Sequence, residues 1–219
     1  MPKSKSGILD IIFPPRCAFC GALLRREEDE VCARCMAKLR FLPPGSVQPP
    51  QYVDRCVGAL DYVEQTRTAV HRLKFRGRQS IAIPFGRLLA YQVREQMDEA
   101  FDFVTWVPTS AHNLRARGYD HARLIAEQTA KRLEVPAIPS LRRTRRTDPM
   151  FGLGAAERRA NVFDAFCAEK DAPLARAHVL LVDDVLTTGA TLSECARTLR
   201  EAGAERVCAA VLAVAKKTR

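Results

Sequence analysis

The sequence predicts an α/β fold, a parallel sheet flanked by helices, preceded by a small cysteine-rich module at the N-terminus. Three observations carry this expectation. Apolar runs of strand length alternate with segments of helical periodicity. One run ends in two adjacent carboxylates followed by a Thr- and Gly-rich loop. Four of the eight cysteines fall in the first 35 residues as two CxxC pairs. With 219 residues, 47% of them hydrophobic and 27% charged, the chain is large enough for one main domain and a small module, and disordered and fibrous classes are excluded.

Taken in order, residues 8–13 form a short apolar run interrupted by Asp10, too short for a signal-peptide core or a membrane span. The cysteine module follows and gives way to FLPPGSVQPPQ, whose Pro43, Pro44, Pro49 and Pro50 cannot sit inside a helix or central strand, so it reads as a linker. VGALDYV (57–63) is a strand candidate. EQTRTAVHRLKFRGR reads as a helix with Val70 and Leu73 on one face and Gly77 as its stop. Phe85, Leu88, Leu89, Val93 and Met97 recur at helical spacing, FDFVTWVP (101–108) reads as a buried strand, and residues 119–134 as a helix. The stretch 141–161 holds six arginines with Pro149, Gly152 and Gly154, and reads as a mobile basic loop without regular structure. HVLLVDD (178–184) is the clearest strand, residues 191–203 a helix stopped by Gly203, and RVCAAVLAVA (206–215) a last buried strand. The boundaries expected are a module over 1–42, a linker over 43–56 and the main domain over 57–219.

VLLVDDVLTTGAT (179–191) is the most informative segment. Its apolar residues make a buried parallel strand, and Asp183 and Asp184 come where that strand emerges at the carboxyl edge, the edge at which open α/β sheets bind ligands. Thr187, Thr188 and Thr191 supply hydroxyls, and Gly189 permits the tight turn that converges backbone N–H groups on an anion at a helix start. The loop has to hold the anion, because the carboxylates repel it. The carboxylates are left for something polyhydroxylated or for a cation, and a ribose 5-phosphate bound with Mg²⁺ meets both demands. A plain Asp-rich strand end with a Thr-rich helix cap is the ordinary explanation of any one of these residues.

Cys17-x-x-Cys20 and Cys32-x-x-Cys35 are separated by eleven residues. Each pair suits half of a tetrahedral Zn²⁺ site, and a module too small for a core of its own takes folding free energy from metal. Four ligands leave no open position, so the site is structural. A redox role is disfavoured by the duplication, and an iron–sulfur site stays open. Cys195 and Cys208 lie on apolar faces and read as core; Cys56 and Cys167 read as plain thiols. His71, His112, His121 and His178 are isolated, with a solvated side chain or a local hydrogen bond as their expected role. Paired cysteines with no secretion signal place the protein in the reducing cytoplasm.

Thirteen consecutive residues, Val179 to Thr191, resemble the phosphoribosyl pyrophosphate (PRPP) signature of type I phosphoribosyltransferases. That resemblance implies that Asp183 and Asp184 contact the ribose hydroxyls directly or through Mg²⁺, and that Val185, Leu186, Thr187, Thr188, Gly189, Ala190 and Thr191 form the loop around the 5-phosphate. It also implies that Pro108, Thr109 and Ser110 form the pyrophosphate loop and that the basic stretch with Arg145, Arg146, Arg158 and Asn161 is the flap over PRPP. Adding the CxxC pairs, HRLKFRG (71–77), RGYDHARLIA (117–126) and TRRTDPMFGLGAAERRANVFDAF (144–166), nearly the whole chain resembles the ComF/GntX family, a zinc ribbon joined to a phosphoribosyltransferase domain. Family members often read RGFNQ where this chain has RGYDH, and many carry a second cysteine cluster where this chain has the Pro-rich linker and Cys56.

The resemblance implies a role in DNA uptake during natural competence, with single-stranded DNA or a DNA-uptake helicase or processing protein as partner. An active phosphoribosyltransferase of nucleotide metabolism or salvage, and a PRPP-sensing regulator without turnover, are the competing expectations. The net charge of +10 suits an anionic partner: nucleic acid, a phosphorylated small molecule, or both. Aromatic content of 7% is low for a single-strand binder, and Phe19, Phe41 and Trp106 are the aromatic residues expected to be available for base stacking.

Overall fold

The structure is a computed structural model and describes residues 14–144 and 162–215. After a four-residue helix α1 (Ala33–Met36) in the cysteine module, the elements are β1 (Cys56–Asp61), α2 (Glu64–Phe75), a 3₁₀ turn (Gln79–Ile81), α3 (Ala82–Gln96), β2 (Phe103–Trp106), α4 (Ala111–Arg117), α5 (His121–Leu133), β3 (Leu141–Arg143), β4 (Phe166–Ala168), β5 (His178–Leu186), α6 (Ala190–Glu201) and β6 (Arg206–Val214). Four strands form a parallel sheet in the order β1-β6-β5-β2, and β3 pairs with β4 in a separate antiparallel ribbon.

The two central strands are apolar almost throughout because helices cover both faces of the sheet. On one face Leu180, Val182, Cys208, Ala210 and Leu212 pack with α2, α3 and α5. On the other, Val179, Leu181, Val207, Ala209 and Val211 pack with α6 and the β3–β4 ribbon. Helices α3 and α5 approach closely at Gly86, where a Cβ would run into the Gln128 side chain and into the Thr129 backbone at 2.8 Å. Helix α3 starts at Ala82, earlier than its apolar spacing predicts, with Pro84 in the first turn where its missing N–H costs nothing.

One expectation is corrected. The stretch 141–161 is not irregular from its start: Leu141–Arg143 forms β3, because Leu141 and Phe166 bury their side chains on one face of a short ribbon. Residues 145–161, with the flap residues Arg145, Arg146, Arg158 and Asn161, lie outside the described residues. The cysteine module, too small for a core of its own, shares that of the main domain. Cys17, Ala18, Phe19, Cys32 and Cys35 join the same buried cluster as α3, with the Phe19 ring 5.7 Å from that of Phe85.

The Pro-rich segment is docked on the sheet. The Asp54 amide donates to the Val207 carbonyl at 2.8 Å, and the Asp54 carboxylate accepts from the Val207 amide at 2.8 Å and from Arg200 at 2.6 Å. Val53 is buried against the α6 side of the core. Among the described residues no helix is long and apolar enough to cross a membrane.

Candidate functional site

Strand β5 runs two residues past the acidic pair, to Leu186, and leaves Asp184 buried and Asp183 partly exposed at the carboxyl end of the sheet. The Asp184 amide donates to Asp183 Oδ1 at 2.8 Å. The chain then turns through Thr187 and Thr188 to Gly189, whose φ of +80° makes it the N-cap of α6. A side chain is disfavoured there twice over: by the left-handed backbone and by Pro50 of the docked linker, 3.0 Å from where a Cβ would stand. Thr187 is exposed and Thr188 and Thr191 are half-buried, while Val185, Leu186 and Ala190 pack inward to varying degrees.

Strand β2 lies beside β5 in register, Trp106 opposite Val182, so the segment that follows it emerges next to the acidic pair. Pro108 is buried, and Thr109 and Ser110 are half-buried. The Ser110 hydroxyl caps α4 by accepting from the Asn113 amide at 3.2 Å. Asp120 holds this loop in place: Oδ2 accepts from the Thr109 amide at 2.8 Å while Oδ1 caps α5 through the Ala122 amide at 3.0 Å.

Two side chains in this site were not expected. Lys74, from the end of α2, puts its Nζ 2.6 Å from Asp184 Oδ2, and His121, first residue of α5, puts Nε2 3.7 Å from the same oxygen. Asp184 Oδ2 is buried, and the Lys74 ammonium is its close charged partner. Burial acts to raise the Asp184 carboxyl, and the Lys74 ammonium, with His121 behind it, outweighs burial and holds it well below the usual carboxylate range. Burial, and then the Asp184 charge, push Asp183 well above that range. Burial lowers Lys74, and Asp184 more than restores it. One ionised carboxylate paired with a cation sits beside a neighbour that resists ionisation, two chemically different oxygens pairs facing one loop. Nothing local in the sequence marks Lys74, and the Asp120 cap before it is the nearest sign of His121.

In the N-terminal module the four cysteine sulfurs lie within 4.8 Å of one another. Cys20 Sγ and Cys32 Sγ are 3.7 Å apart, the edge of a tetrahedron with Zn–S bonds of about 2.3 Å. The first pair is set by a turn at Gly21, φ +77°, and the second by the start of α1, where Cys32 is the N-cap and the Cys35 amide donates to its carbonyl at 2.9 Å. Burial opposes ionisation of Cys20, but the Ala22 backbone and the other three thiols bring it down to about 6; burial pushes Cys32 and Cys35 up. The donor set therefore fits a soft divalent cation. Cys195 and Cys208 are buried in the core as expected, and Cys56 is buried too. Of the aromatic side chains expected to be available for stacking, Phe19 and Trp106 are buried and Phe41 is exposed.

A parallel sheet with a carboxylate pair and a glycine-opened loop at its carboxyl edge, joined to a four-cysteine ribbon, defines a zinc-ribbon protein of the type I phosphoribosyltransferase fold. Residues 120–219 match the phosphoribosyl transferase domain model, and residues 8–47 match the double zinc ribbon domain model. Competence protein F of Haemophilus influenzae is 30% identical over 206 residues, 88% of this chain and 82% of that protein. DNA utilization protein YhgH of Escherichia coli K12 is 31% identical over 199 residues, 87% of this chain and 86% of that protein. The chain belongs to the competence protein F (ComF/GntX) family, and its cysteine cluster is a structural zinc site. Solved structures also align, among them a glutamine PRPP amidotransferase from B. subtilis at 21% identity and TM-score 0.43, covering 64% of this chain and 30% of that one. An adenine phosphoribosyltransferase aligns at 15% identity and TM-score 0.43, covering 68% of this chain and 76% of that one. At such scores these likenesses carry no weight beside the family relatives.

Proposed function

We propose that the protein binds PRPP with Mg²⁺ at the β5–α6 loop and serves in the cytoplasmic handling of single-stranded DNA taken up during natural competence. The observation that carries the ligand reading is the meeting of two features at one sheet edge: the carboxylates Asp183 and Asp184 stand at the end of β5 beside a loop opened by Gly189 at a helix start. Ribose hydroxyls donate to the carboxylate oxygens, and the N-terminus of α6 with Thr187, Thr188 and Thr191 supplies an anion cradle for the 5-phosphate. Asp183 and Asp184 also fit a hard cation through water. Mg²⁺, when bound, offsets charge on the pyrophosphate. Pro108, Thr109 and Ser110 are the pyrophosphate-side contacts, pre-set by Asp120. The relatives' names, competence protein F and DNA utilization protein, support the DNA half of the reading.

A phosphoribosyltransferase that turns over is the second reading, favoured by that same Asp120 link. A loop already rigid needs less ordering at the moment pyrophosphate leaves and an acceptor takes the ribosyl carbon. Among the described residues the site holds two anchored loops and the Lys74 ammonium, and a regulator that only senses PRPP needs the same groups.

Isothermal titration with PRPP, with and without Mg²⁺, tests binding. A single site that is lost in Asp184→Asn is expected, and no heat with the wild type overturns the reading. Release of pyrophosphate from PRPP with a panel of bases and nucleotides separates turnover from binding alone.

A further inference from the structure

Among the described residues the exposed aromatic rings are Phe41, Tyr52, Phe75, Tyr91 and Phe163, and they differ in electrostatic setting. Phe163 has Arg197 over its ring, but that arginine is held by Asp164, Glu194 and Glu201. Tyr52 lies two residues from Asp54, and Tyr91 four residues from Glu95 on the same helix. Phe75 is otherwise. It ends α2 in a stretch, residues 65–94, where the nearest acidic residues in sequence are Glu64 and Glu95, eleven and twenty positions away, and it meets a stretch without Asp or Glu, residues 103–119. The Arg117 guanidinium lies 4.5 Å over the Phe75 ring, and the His71 ring is 4.7 Å away, tilted by 39°. The phenyl ring nevertheless leaves Phe75 58% exposed. His71 is exposed as well, and so are Arg76, Arg78 and Arg115 in the same two stretches.

Contacts run without a break from this ring to the acidic pair. Arg117 Nη1 is 3.4 Å from His121 Nδ1, and the other nitrogen of that imidazole faces Asp184. The Tyr119 hydroxyl bonds the Leu73 carbonyl and pins the two stretches together. The aromatic surface is therefore tied by contacts to the proposed PRPP site.

We propose that Phe75, backed by Arg117 and His71, is a stacking platform for an unpaired base of single-stranded nucleic acid, with Arg76, Arg78 and Arg115 taking the flanking phosphates. An exposed ring backed by an arginine, in arginine-rich segments without Asp or Glu, is what sequence-tolerant single-strand binding uses: the π-face holds any base, and the arginines hold the backbone. A duplex keeps its bases stacked inside and offers this ring nothing. The inference deepens the nucleic-acid half of the proposed function and rests on it.

The test is fluorescence anisotropy of the full zinc-loaded chain with a labelled oligothymidylate of about 20 nucleotides. A duplex of equal length and an abasic strand of equal charge serve as controls. Oligothymidylate should bind more tightly than either control. Phe75→Ala and Phe75→Leu, the second keeping apolar bulk without the ring, should each weaken it by roughly 5- to 150-fold. Phe75→Trp should bind at least as well as the wild type, and none of these variants should change affinity for the abasic strand. If both Phe75→Ala and Phe75→Leu bind oligothymidylate as the wild type does, or if the losses are equal on the abasic strand, the platform is wrong while DNA handling stands. If the wild type binds no oligonucleotide, platform and DNA handling fall together. Titration of PRPP in parallel should be unchanged by every Phe75 variant; its loss in the wild type would sink the PRPP reading and leave the platform intact.

Discussion

Lys74 Nζ lies 2.6 Å from Asp184 Oδ2 and ties helix α2 to the carboxyl end of strand β5. The pair is deeply enclosed, with 24% of the lysine side chain and 5% of the aspartate side chain accessible. An ion pair this far from water holds together only while both partners are present, since either one alone is a buried charge without compensation.

Lys74→Met should therefore destabilise the protein by about 3 kcal/mol in urea unfolding. Adding Asp184→Asn to that variant should recover much of the loss, because the double variant no longer buries a lone carboxylate. Additive losses in the double variant would show that the pair is not coupled.

Asp183→Asn should raise stability while removing ligand binding. Burial and the neighbouring Asp184 charge raise the folded Asp183 carboxyl above its unfolded value, so its ionisation opposes folding. That penalty is absent below the unfolded value of about 4 and grows as pH rises. The variant should gain about 1 kcal/mol at neutral pH and little at pH near 4, read from urea midpoints at several pH values. Parallel titration should show no PRPP binding.

Zinc removal should weaken the whole molecule and not the ribbon alone. Phe19 packs on Phe85 of α3, and the cysteine module shares the main core. Metal analysis should return one zinc per chain. Chelation, or Cys35→Ser, should lower the calorimetric transition of the main domain. A separate low-temperature transition with the main one unmoved would contradict the shared core. Phe19→Ala should cost about 3 kcal/mol by the same contact.

Gly189→Ala should cost about 1–2 kcal/mol, the penalty for a left-handed alanine, before any displacement of Pro50. Its larger effect should be on PRPP titration, because the turn sets the direction of the loop amides. A variant with wild-type stability and affinity would mean that the loop does not depend on this conformation.

The strands and helices were legible wherever local periodicity and burial agree. Val179 to Val182 and Val207 to Ala213 are apolar throughout because both faces of a central parallel strand are covered, and α6 shows its buried stripe at Leu192, Cys195, Ala196 and Leu199. Leu141–Arg143 was not legible: a three-residue strand has no period to read, and its partner Phe166–Ala168 lies beyond the arginine-rich stretch. Phe19 and Trp106 looked free for stacking because a single aromatic residue carries no sign of its own burial.

The acidic pair with its Thr-Gly loop and the two CxxC pairs stand out because each group of chemical residues is contiguous, so one local turn presents it whole. Lys74, His121 and Asp120 come from other elements, and the docking of the proline segment on Gly189 joins parts equally far apart in the chain. Such meetings depend on strand order and helix packing, which bring separate segments together by burying apolar faces. A lysine on the edge of an amphipathic helix reads the same whether it ends in water or against a buried carboxylate. The packing of α2 over the sheet puts this one against Asp184.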